Sequence, residues 1–153
     1  MIGDGPARIA PMTRFYDLDA ANAAVPELDG ILSVLAEQRA ELVRLRDEVI
    51  AKGGTTEGLG GRPPDGAPAA IGDELRLTRL RMQGLIDQMA AGVARIDALG
   101  ITLRDIEQGL VDFPALVSGR QVWLCWQRGE ASVDWWHDLD SGFAGRRPLS
   151  ELE

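Results

Sequence analysis

Most of the side chains in this sequence that are equipped for chemistry fall in one stretch, residues 112–146. Cys125 is the only cysteine and His137 the only histidine, and around them stand Asp112, Glu130, Asp134, Asp138, Asp140 and Arg146. All four tryptophans, Trp123, Trp126, Trp135 and Trp136, share the stretch. A cysteine and a histidine invite a thiol–imidazole pair, in which the ring takes the thiol proton and leaves a thiolate nucleophile. His137 with Asp138, Asp140, Glu130 or Asp112 suggests a metal site instead. With one histidine and no second cysteine that set is carboxylate-rich, and suits Mg²⁺ or Mn²⁺ better than structural zinc. Acidic loops are ordinary in a chain of net charge −8, so the expectation is no metal and no cofactor. The stretch SGFAGRR, residues 141–147, has glycines and paired arginines that can hold an anion through backbone amides. It lacks the spacing of a P-loop or a dinucleotide fingerprint.

The composition narrows the setting. At 153 residues, with 45% apolar and 26% charged residues, the chain reads as one folded domain able to bury roughly two-thirds of its unfolded surface. Its acidic balance excludes a general nucleic-acid binder, which needs a basic footprint, and argues against docking on anionic lipid. A lone cysteine forms no internal disulfide. The opening MIGDGPARIAPM has no apolar core of the signal-peptide kind, and no apolar run approaches the roughly 20 residues that span a bilayer. The expected location is the cytoplasm.

Two helices and a sheet must position these side chains. Asp17 is placed to cap a first helix over 17–52, with Asp19 in the first turn. Pro26 either begins that helix or kinks it. Apolar residues recur at 28, 31, 35, 42, 45 and 49, with Gln38 as the polar exception. A second helix is expected over 73–99, carrying Leu75, Met82, Leu85, Met89, Ile96 and Leu99 on one stripe. Gly100 stands where a left-handed cap belongs, with Ile101 as its apolar contact. The Gly- and Pro-rich segment 53–70 reads as a flexible loop, which makes the helices an antiparallel hairpin. In its distal half arginines and carboxylates alternate, as expected of solvated ion pairs. Residues 101–137 then change to strand periodicity, and a three- or four-stranded antiparallel meander is expected, with 138–153 as a C-terminal loop or tail. The fold class is α+β. Pro114 cannot donate a ladder bond and should lie at an edge or a bulge.

The turns VSGR and QRGE set a register. Closing the first pairs Val111, Phe113 and Ala115 with Trp126, Leu124 and Val122. Closing the second pairs Trp126, Leu124 and Val122 with Ala131, Val133 and Trp135. One face is then wholly apolar and forms the core. The opposite face carries Asp112, Trp123, Cys125, Asp134 and Trp136. On this register His137 continues the core face while Cys125 lies on the other, which separates the two. Asp112 stands across the ladder from Cys125, and a carboxylate there raises a thiol pKa. Trp123 and Trp136, large aromatics in a polar rim, mark a surface that becomes covered. The cover is the C-terminal segment, through Phe143 and Leu149, or a second copy, or another partner or ligand.

The strings GLVDFPAL, LCWQRGE and WWHDLDSGFAGRRPL, with RFYDLDAANAAVPEL near the start, resemble a family of small bacterial proteins known as domain of unknown function 2203. The match falls on Asp112, Phe113, Pro114, Cys125, Trp126, Gly129, Glu130, Trp136, His137, Gly142, Phe143, Gly145, Arg146 and Pro148. The resemblance implies bacterial context and no particular activity. From the residues themselves, the leading expectation is a non-enzymatic interaction or oligomerisation module. It would act as a homodimer or with a protein partner, through the Trp123/Trp136 face, with Asp134 beside them, or through the helical hairpin. The alternative is a small-molecule or divalent-metal site around Asp112, Glu130, His137 and Arg146, with Trp136 as a wall.

Overall fold

Helix α1 (Leu18–Ala51) starts where its cap does: the Asp17 carboxylate accepts the Ala20 amide at 2.7 Å, and Asp19 sits in the first turn. The computed structural model describes residues 14–54 and 69–152, so most of the Gly- and Pro-rich segment expected as a flexible loop lies outside the described residues. Pro26 falls inside α1 and does not open it. Helix α2 (Ala69–Ala98) begins ahead of the expected Asp73, because Ala69 and Ala70 are the best of helix formers and extend it backwards. It stops at Gly100, whose φ of +77° is open to glycine at no steric cost. The Ile101 amide there donates back to the Ile96 carbonyl at 3.3 Å, and both isoleucines are buried.

The helices pack on each other along the expected stripe. Leu35 lies so close over Gly92 that a Cβ at Gly92 would stand 3.0 Å from its Cδ2. Gln38, the polar position, donates to Gln88 of the other helix at 3.2 Å. Further out, Leu45, Val49 and Met82 form a small separate core. Around it the charges pair as expected, within helices (Arg44 with Glu41 and Glu48) and between them (Arg81–Glu41, Lys52–Glu74).

Strands β1 (Thr102–Asp105), β2 (Leu110–Val117), β3 (Arg120–Gln127), β4 (Trp135–His137) and β5 (Arg147–Pro148) form one antiparallel sheet in chain order. The expected meander of three or four strands therefore has a fifth, supplied by the segment read as a tail. Ser118 and Gly119, at φ 53° and 78°, make the two-residue turn between β2 and β3. The β2–β3 register is the expected one, with Val111 opposite Trp126, Asp112 opposite Cys125 and Phe113 opposite Leu124. Val111, Phe113, Ala115, Val122, Leu124 and Trp126 are all buried against Leu28, Ile31, Leu32 and Leu35 of α1 and Ile96 of α2. Pro114 lies beyond the end of β1, where its carbonyl accepts the Tyr16 amide at 2.7 Å. Tyr16 also donates its hydroxyl to the Leu99 carbonyl and meets Phe113 edge-on at 5.1 Å, tying the start of α1 to the end of α2 and to the sheet.

The β3–β4 register departs from expectation, and the departure decides the site. Leu124 pairs with Trp136 instead of Val133, a slip of three residues. An odd slip exchanges the faces. Trp136 and Leu124 therefore share the core side, while Trp135 and His137 join Cys125 and Trp123 on the other. The cause lies in residues 128–134: Gln127–Glu130 closes as a turn, the Glu130 amide donating to the Gln127 carbonyl at 3.0 Å, but the chain does not pair back onto β3 until Trp135. The Gln127 amide donates to the Glu130 carboxylate at 2.7 Å, and the Trp126 indole to the Glu130 carbonyl at 3.0 Å. Val133 is buried in the core, and its amide donates to the Asn22 side chain of α1 at 2.7 Å. The chain is thus held on the helix until β4 begins at Trp135.

Candidate functional site

Strand β2 carries Asp112 to the non-core face, β3 brings Cys125 opposite it, and the shifted β4 brings His137 beside both. The three side chains are buried, and their ligating atoms all lie within 4.8 Å of one another. His137 Nε2 is 3.0 Å from Asp112 Oδ2. Its Nδ1 is 2.9 Å from the Asp138 carbonyl oxygen, which can only accept, so Nδ1 carries a proton. Nε2 therefore faces Asp112 as a second N–H, making an imidazolium, or as a lone pair toward a protonated carboxyl or a cation between them. The Asp112 Oδ2 atom also accepts from Arg104 Nε at 2.8 Å, whereas Asp112 Oδ1 is buried with no hydrogen-bond partner among the described residues. A charged oxygen left so is costly unless something binds it.

Arg104 is placed by an irregularity in β1 between Leu103 and Asp105. Its guanidinium lies over the Trp123 ring, 5.0 Å from the centroid. Nothing in the spacing of ITLRD marks it in advance.

Burial, and then the Asp112 carboxylate, push the Cys125 thiol up to about 11, with Arg146 opposing them. Arg146 Nη1 stands 4.0 Å from Cys125 Sγ. The same guanidinium makes two bonds to Glu130, at 2.8 and 3.3 Å, and lies over the rings of Trp135 (4.4 Å) and Phe143 (4.5 Å). Residues 138–146 are thereby drawn across the non-core face before β5 pairs with β4. Of the three expected covers, the C-terminal segment is seen here. Phe143 takes part as expected, while Leu149 packs instead on the main core, its amide donating to the Asp134 carbonyl at 2.9 Å.

Under this segment a pocket of about 320 Å³ is lined by Arg104, Leu110, Asp112, His137, Leu139, Asp140, Ser141, Gly142 and Phe143. A larger groove of about 520 Å³ runs between the helices beside Gly30, Val34, Ala91 and Gly92. The polar groups at its border are ordinary helix-surface ones, such as the 3.8 Å pair Glu27–Arg95. Chemistry therefore selects the smaller pocket.

Asp112 and His137 meet directly, Glu130 and Arg146 meet directly, and Arg146 reaches as far as Cys125, which stands across the ladder from Asp112. Asp134 is apart, exposed and accepting from Ser132 at 2.8 Å. Trp123 and Trp136 do not form one surface: Trp136 is 3% exposed in the core, and they lie on opposite faces. The wall beside Arg146 is Trp135, where Trp136 was expected. His137 and Cys125 share a face after all, yet they do not make a nucleophilic dyad. Both ring nitrogens are engaged elsewhere, and the thiol is held protonated.

As a ligand set the cluster is coherent. A histidine that donates one ring N–H to a backbone carbonyl presents the other nitrogen to a metal. Around a tetrahedral ion with bonds of about 2.0–2.3 Å, ligand atoms stand about 3.3–3.8 Å apart; here Nε2 and Oδ2 are 3.0 Å apart and all three ligand atoms lie within 4.8 Å of one another. Nitrogen, oxygen and sulfur together suit Zn²⁺ over Mg²⁺ or Mn²⁺, which the carboxylate-rich set of His137 with acidic residues favoured. That reading left Cys125 out because the expected register put His137 on the opposite face from it, and the slip in β4 brings the two together.

A family model described as uncharacterized conserved protein (DUF2203) matches residues 14–149. No curated protein and no solved structure matches the chain.

Proposed function

From the premise that this chain belongs to the uncharacterised conserved protein family DUF2203, we propose that it binds a transition-metal ion through Asp112, Cys125 and His137. The observation that carries the reading is a buried cluster whose three donor types converge within 4.8 Å, with Asp112 Oδ1 making no hydrogen bond of normal geometry among the described residues. The raised thiol pKa describes the protein without metal; a bound cation deprotonates a coordinating thiol outright. Asp112 and Cys125 then supply two negative charges to a divalent ion, leaving a nearly neutral buried site. Arg104 and the Asp138 carbonyl orient the ligands from outside, as second partners do in metal centres. Three protein ligands leave one position open to the pocket. Calorimetric titration of chelator-stripped protein with Zn²⁺ tests this. Wild type should take one equivalent, and Cys125→Ser and His137→Gln should each weaken binding by about tenfold or more, scaled from the loss of even an outer partner. Equal affinity in all three proteins would sink the reading.

A second reading, association of two copies through the helices, is supported by Leu77 and Leu80. They sit one turn apart on α2 and are 64% and 63% exposed. Light scattering of wild type against Leu77→Glu/Leu80→Glu decides it: a dimer that becomes a monomer supports it, and a monomeric wild type removes it.

A further inference from the structure

We propose that the ligand completing this metal site is a small monocarboxylate with an apolar tail, its carboxylate shared between the ion and Arg104. The inference rests on the metal reading above and adds what the open position is for. Two of the three ligands, Asp112 and His137, line the 320 Å³ pocket, so a coordination position left free by the protein is reached from that side. Arg104 lines the same pocket. Its Nε is spent on Asp112, and its two Nη groups make no other hydrogen bond among the described residues. A guanidinium used along one edge keeps an N–H edge for a second oxyanion. Stacking on Trp123 holds its plane in place.

The remaining wall sets the other half of the ligand. Leu110, Leu139 and Phe143 face the pocket, and Leu139 and Phe143 are 53% and 39% exposed, unusual for large apolar side chains unless something covers them. Asp140 is the one other carboxylate on the lining, and it lies on the exposed rim where solvent and salt screen it. It disfavours a dicarboxylate or phosphate, whose extra charge would reach it. A volume of this size at the small end of ligand pockets suits a short chain.

The test uses the full chain loaded with Co²⁺ in place of zinc, with acetate and hexanoate as probes and the visible Co²⁺ bands as readout. Both acids should shift the bands saturably. Hexanoate should bind roughly tenfold tighter or more, from partial burial of its four extra methylenes. Arg104→Ala, loaded at a Co²⁺ excess that offsets its weaker metal binding, should lose about tenfold in affinity for both acids, the worth of one charge-assisted hydrogen bond. Bands unmoved by either acid overturn the inference while leaving the metal reading intact. So does inorganic phosphate binding tighter than hexanoate, or an Arg104→Ala protein with unchanged affinities. Failure to take up Co²⁺ at all sinks the metal reading and this inference with it.

Discussion

Cys125 shows how far neighbours decide the chemistry of a side chain. In metal-free protein its thiol is held up near 11 by burial and by Asp112, against an unfolded value of about 8.5. The native state therefore keeps a proton that the unfolded state gives up first. The resulting contribution to stability is complete below about pH 8.5 and is lost as pH rises towards 11. Two outcomes are expected of chelator-treated wild type: Cys125 resists alkylation at pH 8 until denaturant is added, and the urea midpoint falls above pH 9 more steeply than in Cys125→Ala. Rapid alkylation of native protein at pH 8 would contradict this. Tyr16 carries a separate prediction. Its hydroxyl closes the orphan carbonyl of Leu99 at the end of α2, so Tyr16→Phe should cost about 1 kcal/mol in denaturant unfolding. Burial also raises its pKa, which keeps the hydroxyl protonated and donating as pH rises.

At the scale of elements, turn geometry divides what was legible from what was not. The hairpin of β2 and β3 could be read because Ser118–Gly119 is a two-residue turn, and such turns set register locally. The caps at Asp17 and Gly100 were legible for the same local reason. The placement of β4 was not. It depends on a bond from Val133 to Asn22, 111 residues away in the chain, which no local pattern announces. An apolar face could be built on either register, since Trp135 and Trp136 are adjacent and equally apolar. Half of the site followed: the Asp112–Cys125 pair was readable, and the arrival of His137 beside it was not. The faces make a direct prediction. Trp136→Ala should cost about 3–5 kcal/mol as a core truncation, while Trp123→Ala, half-buried on the outer face, should cost clearly less; chemical denaturation distinguishes them. Arg146 fastens the covering segment to Glu130, Trp135 and Phe143. Arg146→Ala should therefore speed amide exchange in 138–146 while β2 and β3 stay protected, because that segment lies outside the main core.

For the whole molecule, the sheet uses its two faces differently. One face is the core shared with both helices, and the other, roofed by residues 138–146, holds nearly all the chemistry. No helix among the described residues is long and apolar enough to cross a membrane. A ligand that binds only the folded state adds stability by mass action. Zn²⁺ at a hundred times its dissociation constant should thus raise unfolding free energy by about 2.7 kcal/mol in wild type and far less in His137→Gln. The most direct test of the account is the near-ultraviolet spectrum of the Co²⁺-loaded protein, where thiolate-to-metal charge transfer reports a cobalt–sulfur bond. A Cys125 ligand gives an intense band at one equivalent in wild type that disappears in Cys125→Ser. Visible cobalt bands with no charge-transfer band in wild type would mean that Cys125 is not a ligand, and would contradict it.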